Sequence, residues 1–499
     1  MDPPRLDARD LSGWTLEEDR APAVTPHPVR FPSSSSSTAA AEATGPTVII
    51  GAGAAGLAAA ARIPGPVILL EADALVGGRA LWSGGYLFLV DTPELAGLGR
   101  EVTAADAVSD WPMLTGAPAS DATRAYMAAA SEVRDHLVDL GLTLDVGHED
   151  PVLHRYLQHH VDGGGEVLVD ALDRQLPPSV DLHLGTPAVG LVFEGARVVG
   201  VETADGMIEA GWVIIASGGF VNRADLVARF TRAPAGSWGV GADGGAWGSA
   251  IGWAQEYGLG IADPGAIGWN ANVLGVPGAD GTPVKADRAG VVPWIWVDRR
   301  GERYIDESAG WSLTLAAQLD AHPGTWAITS WDVLLDATDG MDHPFLIRER
   351  DSGVALRCGE DIDDLADRIG VRPTTLAATL ATVYTYQQRT ATDPFGRAGS
   401  SFPAFHGAPC AVRPGRLASK NYGGLDTDLD GRVLDEEGRV VPGLWAVGEA
   451  AGMASPGIGG RFGFDGSLGA VVWSGWRMGD LVAGEVYAVR GAEEDDTGG

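Results

Sequence analysis

Thr47-Val48-Ile49-Ile50-Gly51-Ala52-Gly53-Ala54-Ala55-Gly56 is the stretch that decides the fold of this 499-residue chain. It is an apolar strand followed by a GxGxxG turn. An alanine-rich helix comes next, and a second apolar strand, Val67 to Leu70, ends at Glu71, about 20 residues after the first glycine. This order of elements predicts a βαβ unit that binds a dinucleotide, and the alternative is a tight turn in an unrelated α/β sheet.

Each glycine of the turn has a physical role in such a unit. Gly51 permits the tight turn, Gly53 lets the backbone approach a pyrophosphate, and Gly56 lets the helix pack against the strand. The N-terminal amides of the helix face the negative charge, and Glu71 accepts hydrogen bonds from a ribose hydroxyl. A second GxGxxG at 239–244 lacks flanking strands, so we predict there a helix from about 245 to 257 that is capped by Asp243.

The charge balance excludes several classes of partner. The chain carries 67 acidic and 35 basic side chains and a net charge of −32. Nucleic acids and anionic membranes repel such a surface, so we expect neither as a partner. Apolar runs are all interrupted by Gly, Pro or a charge, so no membrane span is expected. The first residues lack the pattern of a secretory signal, and the predicted compartment is the cytoplasm.

Residues that could bind a metal are few. Only Cys358 and Cys410 are present, with no CxxC, which excludes an iron–sulfur cluster or a zinc site built on thiolates. A disulfide between them is one option, but a reducing cytoplasm disfavours it. His159 and His160 are adjacent and do not face one site on a helix or strand, so we interpret them as part of a polar loop, with a metal-ligand pair as the alternative, and predict no metal.

Further glycines indicate close passage of a ligand. Gly78, Arg79, Gly84 and Gly85 follow the second strand, and they indicate either backbone passing beside a flat ligand or a pair of turns. A buried strand from Trp212 ends in Gly218 and Gly219. Such an ending lets a ligand lie across the carboxyl edge of a parallel sheet.

Taken together, these motifs resemble a known family. The GAGAAG unit with Glu71, the GGR turn, the segment 216–220, and Pro442-Gly443-Leu444-Trp445-Ala446-Val447-Gly448-Glu449 followed by Gly466-Ser467-Leu468 are similar, in order and spacing, to the fumarate reductase and 3-ketosteroid Δ1-dehydrogenase group of flavoproteins. The resemblance covers residues 46 to 487. It implies an α/β fold, a doubly wound Rossmann-like FAD-binding domain with an inserted α+β capping domain, and an active site between the two.

The resemblance also assigns residues to the cofactor. It places Glu71 on the adenosine ribose, Arg79 along the flavin and Glu449 on the ribityl chain. The amides that open the last helix, at Ser467 and Leu468, would stabilise charge on the reduced flavin. The full set of expected FAD-binding residues is Gly51, Gly53, Ala54, Ala55, Gly56, Glu71, Ala72, Gly78, Arg79, Gly84, Gly85, Gly218, Gly219, Glu449, Ser467 and Leu468. In members of the group that bind FAD covalently, a histidine lies close to the doubled glycines. No histidine lies between Gly77 and Tyr86 here, so the resemblance implies noncovalent FAD.

Domain boundaries are predicted where the pattern of apolar strands followed by glycines stops and where it resumes. We predict a disordered leader at 1–45, a first FAD-binding part at 46–269, a capping domain at 270–402, a second FAD-binding part at 403–487 and an acidic disordered tail at 488–499.

The catalytic positions of the family are not all kept. The cap motif at Arg303 is not followed by a proton-donating arginine near Trp311, and Lys420 stands where fumarate reductases have a histidine. The loop at 455–459 lacks the tyrosine of the ketosteroid branch. Candidate catalytic residues are Arg461, Tyr422 and Lys420; the alternatives are a structural ion pair for Arg461 and polar residues at the domain seam for the other two.

The predicted activity is hydride transfer between flavin N5 and a carbon next to a carbonyl, which makes or reduces a C=C bond. Aromatic residues crowd the inserted domain, among them Trp294, Trp296, Tyr304 and Trp311, and they favour an apolar ring system with one carbonyl, a ketosteroid- or enone-like substrate. Trp311 is the candidate for an aromatic wall, whereas Trp82, Trp269, Trp294 and Trp296 are expected in a core, and Arg303 and Tyr304 in cap structure. The electron donor or acceptor is left open. Alternatives are a dicarboxylate reductase, a flavin oxidase or NAD(P)H-dependent reductase, and a non-enzymatic flavin-binding protein.

Overall fold

The computed structural model of the chain describes residues 45–115, 118–146, 156–231, 239–240, 245–277, 283–285, 292–308, 318–319, 321–452 and 466–496. The predicted leader, the Asp243 cap, Trp311 and Arg461 lie outside the described residues. The strands are β1 (Thr47–Ile50), β2 (Val67–Leu70), β3 (Tyr86–Leu87), β4 (Leu144–Val146), β5 (His159–Val161), β6 (Val180–His183), β7 (Ala188–Glu194), β8 (Arg197–Thr203), β9 (Gly206–Glu209), β10 (Trp212–Ile215), β11 (Gly239–Val240), β12 (Ile261–Ala262), β13 (Ile267–Pro277), β14 (Pro283–Lys285), β15 (Ile295–Val297), β16 (Trp326–Ser330), β17 (Leu356–Cys358), β18 (Pro409–Val412), β19 (Pro414–Asn421), β20 (Gly424–Leu425), β21 (Arg432–Leu434) and β22 (Val440–Ala446).

Helices alternate with these strands. They are α1 (Ala54–Ala60), α2 (Gly78–Leu81), α3 (Pro93–Gly97), α4 (Ala104–Thr115), α5 (Asp121–Asp139), α6 (Gly164–Arg174), α7 (Ala224–Thr231), α8 (Ser249–Tyr257), α9 (Trp331–Ala337), α10 (His343–Ser352), α11 (Ile362–Ile369), α12 (Pro373–Arg389) and α13 (Leu468–Asp496), with short 3₁₀ helices at Gly399–Ser401 and Gly448–Ala451.

A central sheet organises the fold, with strand order β21-β22-β10-β1-β2-β6. All its pairings are parallel except β21 with β22. Buried apolar residues fill the strands, as expected when helices or further strands cover both faces. Alternation then divides the side chains: Ile49 and Ile214 pack on the side of α1 and α13, whereas Val48 and Val213 pack on the side of β7, β8 and α8. The predicted doubly wound α/β fold is confirmed.

A separate antiparallel sheet, β15-β16-β18-β17, builds the inserted region with helices α9 to α12 around it. Its third strand, Pro409–Val412, lies beyond the expected cap boundary at residue 402. Because β18 pairs with both β16 and β17, we propose that the cap continues to residue 412. A mixed sheet, β11-β19-β13-β14, follows directly and carries the chain back toward the central sheet.

Three local predictions were wrong. The helix expected from about residue 245 begins only at Ser249, after a left-handed Gly248 at its N-cap. His159 and His160 lie in strand β5 rather than in a polar loop, and His159 is fully buried, with Nε2 hydrogen-bonded to Thr92 Oγ1 at 2.8 Å. Finally, α13 continues through Asp496 into the tail predicted as disordered; this segment has no proline, and its alanines and glutamates favour a helix.

The two cysteines form a disulfide, which the sequence analysis disfavoured. Cys358 on β17 and Cys410 on β18 are Cα partners across the antiparallel pair, and their sulfur atoms are bonded. The register brings together two residues that are 52 positions apart in the sequence.

Within the residues that the structure describes, no helix is long and apolar enough to cross a membrane. In the same part of the chain, no cluster of three or more His, Cys, Asp or Glu side chains could hold a metal ion.

The cap core contains a buried charge network. Glu307 is fully buried, its Oε2 lies 2.8 Å from Arg303 Nη2 and 3.0 Å from Arg397 Nη1, and its Oε1 accepts a 2.7 Å bond from the Trp296 amide. Arg303 also pairs with Asp393. Arg303 therefore acts in cap structure, as does Tyr304, whose hydroxyl bonds to Thr325.

We predict that Glu307→Gln lowers the free energy of unfolding by about 3 kcal/mol, because it leaves the buried Arg397 guanidinium without its carboxylate. The matched control is Glu302→Gln. Glu302 is exposed, and its pair with Arg300 should contribute between about 0 and 1 kcal/mol. Urea denaturation followed by tryptophan fluorescence compares the two, and equal losses would contradict the prediction.

Candidate active site

A cleft with a volume of about 410 Å³ opens at the carboxyl ends of the parallel strands. Residues that follow β1, β2, β10 and β22 converge on it, as the doubly wound topology requires. The predicted cofactor residues that line the cleft are Gly51, Gly53, Ala54, Ala55, Glu71, Ala72, Gly78, Arg79, Gly84, Gly218, Glu449, Ser467 and Leu468.

The three glycines of the GxGxxG turn differ in what a side chain would meet. Gly51 has φ +104°, and a Cβ there would lie 2.5 Å from the Ala216 carbonyl oxygen. At Gly56 a Cβ would lie 1.9 Å from the Gly51 carbonyl oxygen, so the helix could not pack on the strand. A Cβ at Gly53 meets only the Gly77 oxygen, at 3.8 Å, and otherwise projects into the cleft. Gly53 therefore keeps space open for a ligand, while the other two allow the backbone to pack.

Glu71 lies at the edge of this cradle and is nearly buried. Its two carboxylate oxygens accept bonds from the amides of Ala52, at 2.8 Å, and Asp73, at 2.9 Å. Burial raises the pKa of Glu71, and the two amide bonds oppose that effect. The carboxylate thus fixes the turn after β1 and faces the cleft, where a ribose hydroxyl could reach it.

Three predicted residues support the cleft without lining it. Gly56 packs as described above, and Gly85 sits against Gly164, where a Cβ would lie 2.9 Å from its backbone. A Cβ at Gly219 would lie 2.2 Å from Asn421 Oδ1 and 2.6 Å from Glu449 Oε1. Gly219 therefore makes room for two polar side chains at the end of the sheet.

Arg79 joins the cofactor side of the cleft to strand β19. Its Nη2 donates to the Ser419 carbonyl oxygen, and its Nη1 lies 3.9 Å from Glu449 Oε1. Glu449 Oε1 in turn accepts a 2.6 Å bond from the Asn421 amide. These contacts hold the end of β19 against the glycines that follow β10 and β22.

Asn421 was missed by the sequence analysis. Its side chain is fully buried, and Oδ1 accepts a 2.6 Å bond from the Phe220 amide, directly after Gly218 and Gly219. The available signal was its place between Lys420 and Tyr422, because alternate residues of a strand face opposite sides. The segment Gly245 to Trp247 was also missed; it lines the cleft, although we interpreted this second glycine cluster only as a helix start.

The last helix begins at the cleft. Gly466, Ser467 and Leu468 line it, and Ser467 forms a bridge with Leu87 that fixes where α13 starts. The orphan amides and positive dipole end of a 29-residue helix therefore face the cavity.

Of the candidate catalytic residues, the structure brings Lys420 and Tyr422 to the same cleft as the glycine cradle. Tyr422 is 5% exposed, and Lys420 Nζ lies 5.8 Å from the centroid of its ring. Arg461 lies outside the described residues, so its role stays a prediction.

The prediction that Trp294 and Trp296 belong to a core is confirmed, and Trp311, the candidate for an aromatic wall, lies outside the described residues. Trp294 and Trp296 are fully buried in the cap core, and Tyr304 packs against the same core. The described aromatic residues that line the cleft belong to other segments: Tyr86, Trp247, Trp253 and Tyr422. Trp82, expected in a core, is 61% exposed.

Three buried polar atoms around the cleft lack a hydrogen-bond partner within the described residues: Ser217 Oγ, Asn421 Nδ2 and Arg79 Nη1, the last of which only approaches Glu449 Oε1 at 3.9 Å. Unpaired buried donors are costly, so their concentration here fits a site completed by a polar ligand. With the open space at Gly53, the residues present fit an FAD molecule.

A glycine cradle at the carboxyl edge of a parallel sheet is the architecture of a dinucleotide-binding protein, and the family match and the relatives of the chain make it an FAD-dependent oxidoreductase. The chain belongs to the family described as FAD binding domain, which matches residues 47–459. FAD is thus its cofactor, held noncovalently, since residues 77–86 offer no histidine for a covalent link.

Individual proteins show the same relationship. A KsdD-like steroid dehydrogenase of Mycobacterium tuberculosis is 28% identical over 91% of this chain and 96% of its own length. A probable fumarate reductase of Shewanella frigidimarina is 25% identical over 81% of this chain and 69% of its own length. The crystal structure of 3-ketosteroid Δ1-dehydrogenase from Sterolibacterium denitrificans superposes with a TM-score of 0.69 at 18% identity, covering 88% of this chain and 100% of that one. The last similarity concerns the fold.

We predict that Gly53→Val gives a folded but colourless protein, because the valine side chain occupies the open space of the cradle. The wild type should be yellow and release free FAD on acid denaturation. The control is Gly484→Ala on α13, which adds a methyl group where nothing lies within 4 Å. Flavin absorbance reports cofactor content and circular dichroism reports folding. A Gly53→Val protein with full FAD content would disprove the role of the cradle.

Proposed function

We propose that this enzyme makes or reduces a C=C bond next to the carbonyl group of a cyclic ketone or enone. The observation that carries the proposal is the position of Lys420 and Tyr422, which line the cleft of the FAD cradle at the end of strand β19, where Arg79 and Glu449 hold the backbone in place. When bound, FAD supplies a hydride acceptor or donor.

In this proposal, Tyr422 and Lys420 act on the substrate oxygen and on the proton. A phenol hydroxyl or an ammonium group that donates to a carbonyl oxygen stabilises the negative charge that develops there. That stabilisation makes a neighbouring C–H group more acidic. The other residue of the pair, in its deprotonated form, accepts the proton from that carbon, and the hydride from the adjacent carbon would go to FAD. In the reducing direction the residue that holds the proton returns it to carbon. Arg461 remains an additional candidate for the oxygen.

The cleft favours this substrate class over dicarboxylates. Two carboxylates require several converging cations, and the described lining contains Arg79 and Lys420. Arg79 already donates to Ser419 and lies near Glu449, so the described lining does not provide the several converging cations that two carboxylates require. Tyr86 and Trp247 add apolar surface at the same cleft. The steroid dehydrogenase among the relatives supports this choice, and the fumarate reductase among them makes dicarboxylate reduction the outcome to exclude.

The proposed compartment is the cytoplasm, and the substrate and redox partner are small molecules. The disulfide Cys358–Cys410 argues against this compartment, because a reducing cytoplasm disfavours structural disulfides. The oxidation state of these two cysteines in the isolated protein therefore tests the proposal.

We expect turnover of ketosteroids or cyclic enones with artificial electron acceptors or donors to exceed turnover of succinate or fumarate. We expect at least one of the variants Tyr422→Phe and Lys420→Met to lower kcat by roughly 100-fold, namely the variant that removes the group that transfers the proton. Tyr384→Phe is the control, because Tyr384 is 60% exposed on α12. Efficient fumarate reduction without ketone turnover, or two variants with unchanged kcat, would refute the proposal.

A further inference from the structure

Gly268 on strand β13 is a glycine whose backbone conformation does not require one, since its φ lies outside the positive range. It is buried and lines the cleft. A Cβ built on it would lie 2.9 Å from Lys420 Cγ, 3.0 Å from the Tyr422 hydroxyl oxygen and 3.2 Å from Ser419 Oγ. The space that a side chain would occupy at 268 is therefore filled by the candidate catalytic pair and its neighbour.

The backbone of this pair is fixed from several directions. The Tyr422 amide donates to the Ala266 carbonyl oxygen at 2.8 Å, so the chain before Gly268 holds it. The Asn421 amide donates to Glu449, and Asn421 Oδ1 accepts from Phe220. These bonds oppose a shift of β19, so a side chain added at 268 is expected to displace the side chains of Lys420 and Tyr422.

The pairing of β13 with β19 contains a β-bulge next to Lys420. Gly268 is the Cα partner of Lys420, but the next residue, Trp269, pairs with Ala418, so Ser419 is the extra residue of a bulge. Ser419 Oγ closes the bulge by donating to the Gly268 carbonyl oxygen at 2.8 Å. Bulges redirect side chains, and this one lies directly before the pair that faces the cleft.

We propose that Gly268 is the positioning residue for Tyr422 and Lys420: the absent side chain sets where the tyrosine hydroxyl and the lysine stem lie in the cleft. The inference rests on the proposed function of that pair. Gly268 touches no reacting atom in this scheme and acts only through the two side chains.

The test is Gly268→Ala in the FAD-loaded enzyme. Misplacement of reacting groups by an ångström can cost on the order of 100-fold, so we expect kcat for the best ketone substrate to fall by roughly 10- to 100-fold. FAD content should stay at the wild-type level, because the GxGxxG cradle is untouched. The matched control is Gly252→Ala on α8, an exposed glycine with nothing within 4 Å of the added methyl group, and its kcat should equal that of the wild type.

A double-mutant cycle separates positioning from general damage. The background Tyr422→Phe/Lys420→Ala removes the hydroxyl and the Cγ atom that the new methyl group would meet first. In that background, Gly268→Ala should change kcat and the unfolding midpoint much less than in the wild type. Equal effects of Gly268→Ala in both backgrounds, or wild-type kcat for the single variant, would overturn the inference and leave the proposed function intact. Wild-type kcat in the Tyr422→Phe/Lys420→Ala protein would overturn the proposed function and, with it, the inference.

Discussion

Close packing of backbone on backbone is the constraint on which the rest of the structure depends. Helix α1 approaches β1 so closely that a methyl group at Gly56 would overlap the Gly51 carbonyl oxygen. Helix α13 then packs on α1 through Gly475 and Gly479, where a Cβ would lie 2.2 Å from the Ala55 oxygen and 2.6 Å from the Ala59 oxygen. Sheet, first helix and last helix therefore form three layers in contact. This stacking brings the N-terminal ends of both helices to one cleft, although about 400 residues of sequence separate them.

The second organising element is strand β19, which belongs to a sheet outside the central one and yet ends inside the cofactor site. Arg79, Glu449 and the Phe220 amide all bond to its last residues. These partners follow β2, β22 and β10 in the chain. The parallel sheet therefore fixes the backbone position of Lys420 and Tyr422. The two halves of the proposed site are thus coupled by hydrogen bonds rather than only by proximity of two domains.

The sequence predicted the central sheet and the cleft at its edge well, because each depends on short, local patterns such as the strand before Gly51 and the acid at Glu71. It could not predict which aromatic residues face the cleft, since Trp294 and Trp247 carry the same local signal and differ only in tertiary packing. The pairing of β18 with the cap sheet and the burial of His159 likewise depend on strands that are distant in the sequence. Asn421 and Gly268 were missed for a related reason: their roles become visible only once β13 and β19 lie side by side.

Alternation along β19 has a consequence for how such an enzyme can change. Asn421 faces the partners that hold the cofactor side, while the residues on either side of it, Lys420 and Tyr422, line the cleft. On the proposed function, the contacts that retain the cofactor side and the groups that act on the substrate lie on opposite faces of the same short segment of chain. The chemical step can therefore be varied at 420 and 422 separately from the packing of the flavin site, which makes this strand end the position at which a designer would exchange one chemistry for another.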